Sequence, residues 1–196
     1  MCGFVDVDLQ RHAGFSPLMA ASEGGHIDVV KRLIEGGAAV EIRNNKGVTP
    51  LYLAASNGHI KTVLFLIEQQ TDVNACLNDR ESCLLIAAFN GHTAVVNALV
   101  SNGANVNLQR KDGFSPLSAA CQGGHIGVVR VLLDNKASIE MRDNNGRTAL
   151  WHAARYGQTN IVDVLLTHGA LIDAADYRLW PSVCACLLYT SDAADE

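Results

Sequence analysis

The chain has 196 residues, 48% of them hydrophobic and 18% charged, with a formal net charge of −5. That composition is globular and excludes a disordered or low-complexity chain. No apolar run approaches the roughly 20 residues of a membrane helix. The first residues carry no basic-then-apolar pattern. An acidic balance without any Lys/Arg run leaves little to neutralise phosphates, so neither nucleic acid nor membrane insertion is expected.

Taken from the start, residues 1–10 are short of a full unit. Val7-Asp8 falls 33 residues before Val40-Glu41, so this stretch reads as the tail of a preceding repeat, and the sequence reads as a piece that begins mid-array. A true end is expected to carry a polar capping repeat. The first unit is instead ordinary, so its upstream face, with Leu18, Val29, Val30, Leu33 and Ile34, is expected to be partly bare. From residue 11 a period of 33 governs the chain. Leu18, Leu51, Leu84, Leu117 and Leu150 form one column, and Ala21, Ala54, Ala87, Ala120 and Ala153 a second. Gly25, Gly58, Gly91, Gly124 and Gly157 form a third, and Leu33, Leu66, Leu99, Leu132 and Leu165 a fourth. The units are 11–43, 44–76, 77–109, 110–142 and 143–175.

Within a unit, a turn glycine (Gly14, Gly47, Gly113 or Gly146) precedes Ser16, Thr49, Ser82, Ser115 or Thr148, whose hydroxyls suit a helix N-cap. Pro17, Pro50 and Pro116 follow at the first helical position, where the missing N–H costs nothing. A short Ala-rich helix then runs to the Gly25 column. A second helix carries paired apolar positions such as Val128-Val129 and Leu132-Leu133, which make one broad apolar face. Gly37, Gly103 and Gly169 end it, and an extended piece leads to the next turn.

Departures from the pattern fall mostly in the third unit. Gln70 already replaces the terminal glycine of the second. In the third, Arg80 stands where glycine is expected and Cys83 replaces proline. A bulky residue in a left-handed turn costs about 1 kcal/mol or more, so the Arg80 turn is expected to be reshaped and this unit to be the softest joint. Gly127 lies inside a helix of the fourth unit. Ala149 and Gln158 stand for Pro and His in the fifth. Residues 176–185 read as a degenerate or truncated sixth unit. Residues 186–196 carry no repeat column or cap; they resemble the in-frame translation of a sequencing adapter and are read as an artefact.

Thr49-Pro50-Leu51, Ala54-Ala55, Gly58-His59 and Gly103-Ala104-Asn105-Val106-Asn107 together resemble the ankyrin-repeat pattern. The resemblance covers five units, from about Arg11 to Ala175. It implies an all-α repeat solenoid of paired antiparallel helices with β-hairpin fingers along one edge, used to hold protein partners. It also marks Asn74 and Asn107, each eight residues after a column leucine, as candidate substrates of an iron- and oxoglutarate-dependent asparaginyl hydroxylase. A plainer reading is that Asn suits a turn by bonding its own backbone.

Nothing in the sequence points to catalysis, a metal or a cofactor. His26, His59, His92 and His125 share a column, but stacked helices lie about 8–10 Å apart, whereas zinc ligands sit about 2 Å from the ion. Their expected role is a backbone hydrogen bond closing the turn between two helices. His152 and His168 have no acidic or cysteine partner at catalytic spacing, and no phosphate loop, Gly-x-Ser-x-Gly or His-Glu-x-x-His occurs. The carboxylates read as solvated surface. Of six cysteines, Cys83 and Cys121 occupy small-residue helix columns and read as buried fillers. No pair has zinc or thioredoxin spacing, so a reducing, cytoplasmic setting is expected.

In the family the chain resembles, contacts come mainly from the hairpin positions around the turn glycine and the two residues after the Ala pair. The resemblance therefore implies a partner surface on the fingers and at the ends of the first helices. Those columns hold Arg11, Arg43, Lys46, Arg110, Lys111, Arg142, Arg147 and Arg155 against Glu23, Asp79, Glu81, Asp112 and Asp143. That is a basic surplus of three on an acidic chain, which can steer an acidic partner. Phe89, Phe114 and Tyr156 interrupt the same edge, and aromatic and Arg anchors favour binding hot spots. The expected binding residues are Lys46, Phe89, Lys111, Phe114, Arg147, Arg155 and Tyr156, taking an extended acidic segment across units three to five. The main reading is thus a non-catalytic interaction module or scaffold. Two alternatives are a regulatory or substrate-recruiting arm of a larger enzyme, such as a kinase, acyltransferase or ubiquitin ligase, and a structural spacer in a membrane-linked skeleton.

Overall fold

The computed structural model describes residues 7–10 and 12–172. The expectations placed on residues 1–6, on Arg11, on the sixth unit and on the adapter-like tail lie outside the described residues.

Ten α-helices follow in five pairs among the described residues. The first helix of each pair is α1 (Pro17–Glu23), α3 (Pro50–Ser56), α5 (Cys83–Phe89), α7 (Pro116–Gly123) or α9 (Ala149–Arg155). Each starts at its hydroxyl cap. Ser16, Thr49, Ser82, Ser115 and Thr148 accept the N–H three residues on, at 3.1–3.3 Å. These caps satisfy an orphan donor at the start of helices too short to hold on propensity alone. The second helices are α2 (Ile27–Glu35), α4 (Ile60–Glu68), α6 (Thr93–Ser101), α8 (Ile126–Asp134) and α10 (Thr159–Thr167).

First helices stack on first helices and second on second, α1–α3–α5–α7–α9 beside α2–α4–α6–α8–α10. The core runs between the two rows. The column leucines Leu18, Leu51, Leu84, Leu117 and Leu150 are all at most 1% exposed, and alanines beside them let the first helices approach. Cys83 and Cys121 are buried fillers in the same layer, and burial pushes the Cys83 thiol up to about 12. Val29 is 49% exposed, whereas its column mates Thr62, Val95, Val128 and Ile161 are at most 2% exposed. Of the upstream face expected to be bare, Val29 is exposed, while Leu18 and Val30 are fully buried within the first pair.

Three expectations change in detail. The Arg80 turn is not reshaped: Arg80 sits at φ 68° and its N–H reaches Leu77 O at 2.9 Å, as Gly47 reaches Asn44 O and Gly113 reaches Arg110 O. The neighbouring fingers hold the turn in register, because Asn78 N donates to Lys46 O and Lys111 N to Asp79 O. Among the described residues the fingers are tight turns without strands. An isolated bridge joins Cys76 to Ser82, and each finger closes with too few pairs for a ladder.

The histidine column does not close turns within one repeat. His59 Nε2 donates to Glu23 O at 2.8 Å, His92 to Ser56 O at 2.9 Å and His125 to Phe89 O at 3.0 Å. A carbonyl only accepts, so Nε2 carries the proton. Each ring ties its own repeat to the one before. It fits only because the preceding turn is glycine: a Cβ on Gly58 would lie 2.6 Å from His92 Nδ1.

Candidate functional site

The side chains that vary between units meet on the first-helix face over repeats three to five. The physical cause is the column pattern. At the position of Leu85 and Trp151, the fourth unit has Ser118, and at that of Ile86 and His152 it has Ala119. Small residues in the middle helix, flanked by large ones, leave a trough of about 570 Å³. Its floor is Phe114, only 7% exposed, packed on Leu85 and Ala119. One wall comes from α5 and its finger, through Glu81, Leu85, Ile86 and Phe89. The other comes from α9 and its finger, through Arg147, Trp151, His152, Arg155 and Tyr156.

Charge in the trough is largely paired. Arg110 binds Asp112 at 2.6 Å and Glu81 at 3.1 Å, and both raise its affinity for its proton. The Arg110 contact in turn holds the Asp112 carboxyl below its usual range. Tyr52 of the second repeat donates to Glu81. Burial first, then that carboxylate, pushes the Tyr52 phenol well up. Arg147 Nε donates to Asp143 Oδ2 at 2.7 Å. Arg110 lies 5.3 Å over the Phe114 ring and Arg147 4.9 Å over Trp151, so each guanidinium also meets an aromatic face.

Two readings of the chemistry are corrected here. Asp143 is buried rather than solvated, at 5% exposed; its carboxylate accepts from Asn145 N and Arg147 N and so organises the fifth finger. His152 does have an acidic neighbour, Asp143 Oδ2 at 3.4 Å from Nε2. Both ring nitrogens are buried without a close hydrogen-bond partner. The ring stands edge-on to Phe114 and Trp151. Burial holds its pKa at about 4, with Asp143 opposing and Arg147 adding to the shift. His168 Nδ1 meets Val164 O at 2.7 Å, at the end of α10.

Of the expected binding residues, Phe89, Phe114, Arg147, Arg155 and Tyr156 line this one groove. Lys46 and Lys111 do not. Both are exposed on their fingers, and Lys111 borders a second hollow with Arg80 and Asn107. Trp151 and His152 were missed. A histidine in a column otherwise holding Ala20, Leu53, Ile86 and Ala119 was the available signal.

Asn74 and Asn107 lie elsewhere, on the loops after the second helices, and they bridge repeats. Asn74 Oδ1 accepts from Asn105 N at 2.8 Å while Nδ2 donates to Gly103 O at 3.1 Å. Asn107 Oδ1 accepts from Ser138 N at 2.8 Å. Glu41 and Glu140 occupy the same column and reach the next loop in the same way, at Asp72 N and Leu171 N.

Fold and groove together define a helical-repeat solenoid with a side-chain-lined trough open to solvent. A family model described as ankyrin repeats (3 copies) matches residues 2–76 and 84–176, and the chain belongs to the ankyrin-repeat family. The two matches part at 77–83, the finger that carries Arg80 and the start of α5. Members of this family generally serve as protein–protein interaction modules. No curated protein matches the chain.

Proposed function

We propose that this chain is a non-catalytic interaction module, working in the cytoplasm, whose groove over repeats three to five receives an extended, negatively charged segment of a protein partner. The observation that supports it is convergence. Phe89 and Tyr156, 39% and 51% exposed, stand on opposite walls of one trough with the exposed Arg155 beside them. Solvent-facing rings and guanidinium groups are what partner hot spots use. Arg155→Glu combined with Tyr156→Ala is expected to weaken any partner recovered by pull-down while leaving the melting temperature nearly unchanged. Binding that survives the double change, yet is abolished by changes on the second-helix face, would place the surface elsewhere. Asn74 and Asn107 are proposed as hydroxylation sites on the strength of their column position. Mass spectrometry of native protein should find the mass of one added oxygen there, and its absence from both removes the proposal.

A further inference from the structure

We infer that the groove seats one large apolar side chain of the partner together with a single carboxylate, rather than a run of acidic residues. The inference rests on the docking reading above and narrows it. The reason is how the charges are already used. Three guanidinium groups line the trough, and two are held by the protein itself. Arg110 is shared by Glu81 and Asp112. Arg147 is held by Asp143, whose other oxygen accepts two backbone N–H groups of the finger. At either one a partner carboxylate would meet a guanidinium whose charge is already matched, Arg110 through all three of its nitrogens and Arg147 through Nε, so it would gain little net attraction. Arg155 differs. It is exposed, and no ion pair engages it among the described residues. With Glu81 and Asp112 on the lining and Asp143 behind it, the trough is close to neutral around this one available cation.

The apolar half of the seat follows from the walls. Phe89 and Tyr156 are the two exposed rings of the groove, and the floor between them is the Phe114 ring on Ala119. An apolar side chain entering there would cover both exposed rings, and a carboxylate a residue or two away along an extended chain would reach Arg155.

A bead-displayed library of random ten-residue peptides, sorted against the purified chain and titrated by fluorescence polarisation, tests this. Enriched peptides should carry one large apolar residue with one Asp or Glu within two positions. Replacing either residue in the peptide should cost about tenfold in affinity. Arg155→Gln and the pair Phe89→Ser/Tyr156→Ser should each reduce binding by a similar factor. Lys61→Gln, exposed on the second helix α4 away from the groove, should change nothing. Affinity should fall only modestly with rising salt, as one exposed ion pair is screened. Enrichment of acidic runs without an apolar residue, with a steep loss of affinity in salt, would overturn this inference and leave the acidic-segment reading standing. Peptides that bind Arg155→Glu/Tyr156→Ala as well as the unmodified chain, or no enrichment at all, would overturn both.

Discussion

Gln70, Arg80 and Lys136 all adopt left-handed backbone angles, at φ 62°, 68° and 67°. Their column mates Gly37, Gly103 and Gly113 do so without the Cβ penalty. The strain is tolerated because neighbours over-determine each turn, and it costs about 1 kcal/mol per site. Lys136→Gly and Arg80→Gly are each expected to stabilise the chain. The gain should be at most about 0.5 kcal/mol, because the extra freedom of glycine in the unfolded chain offsets about 0.4–1 kcal/mol of the relieved strain. Denaturant unfolding measures it, and a lower midpoint for both variants would show that the turns are not strained. Thr62 is a second residue-scale case. Its hydroxyl is buried with no hydrogen-bond partner, in a column whose other buried members are Val95, Val128 and Ile161. Thr62→Val removes an unsatisfied polar group at constant volume and should raise stability by about 1 kcal/mol. An unchanged or lower midpoint would mean that the hydroxyl is satisfied after all.

At the scale of an element, α9 is the helix whose sequence departs most usefully from its row. It places an uncharged imidazole, His152, where the other first helices place Leu53, Ile86 or Ala119. Burial holds this pKa at about 4 against an ordinary 6.5. Between those two values the unfolded chain binds the proton and the folded chain does not. Stability is therefore full above pH 6.5 and falls as the pH drops toward 4, by roughly 3 kcal/mol if His152 acted alone. His152→Ile should flatten that part of the profile. The measurement is the difference in unfolding midpoint between pH 7 and pH 4.5, for the unmodified chain and the variant. Equal differences would show that another group sets the acid limb.

At the scale of the molecule, each helix pair packs chiefly against the pairs before and after it, so stability is approximately a sum of units and interfaces. Leu99 is fully buried in α6, at the centre of the array. Leu99→Ala should cost about 2–5 kcal/mol as a large-to-small core change. It should also split the thermal melt, with repeats one and two separating from four and five. A single, merely shifted transition in calorimetry would show that the third repeat is no weaker a joint than the others. The regular finger bonds across it, from Asn78 N to Lys46 O and from Lys111 N to Asp79 O, are what such a result would reflect.

The column pattern alone determined the helix pairs, their caps and the core. A repeat buries the same positions each time, so Leu, Ala, Gly and Ser/Thr recur at 33-residue spacing and can be read without coordinates. The family resemblance then picked out Phe89, Phe114, Arg147, Arg155 and Tyr156 as residues of one edge, and all five line the groove. Tertiary structure decided what their chemistry is. The partners of Arg110 come from its own finger and the one before, Asp112 and Glu81; Asp143 is buried by its own turn; and His152 is enclosed by Phe114 from the fourth finger and by Trp151 from its own helix. Which charges are spent and which remain free depends on side chains about one repeat apart in sequence but adjacent in space. A list of columns counts charges but cannot pair them.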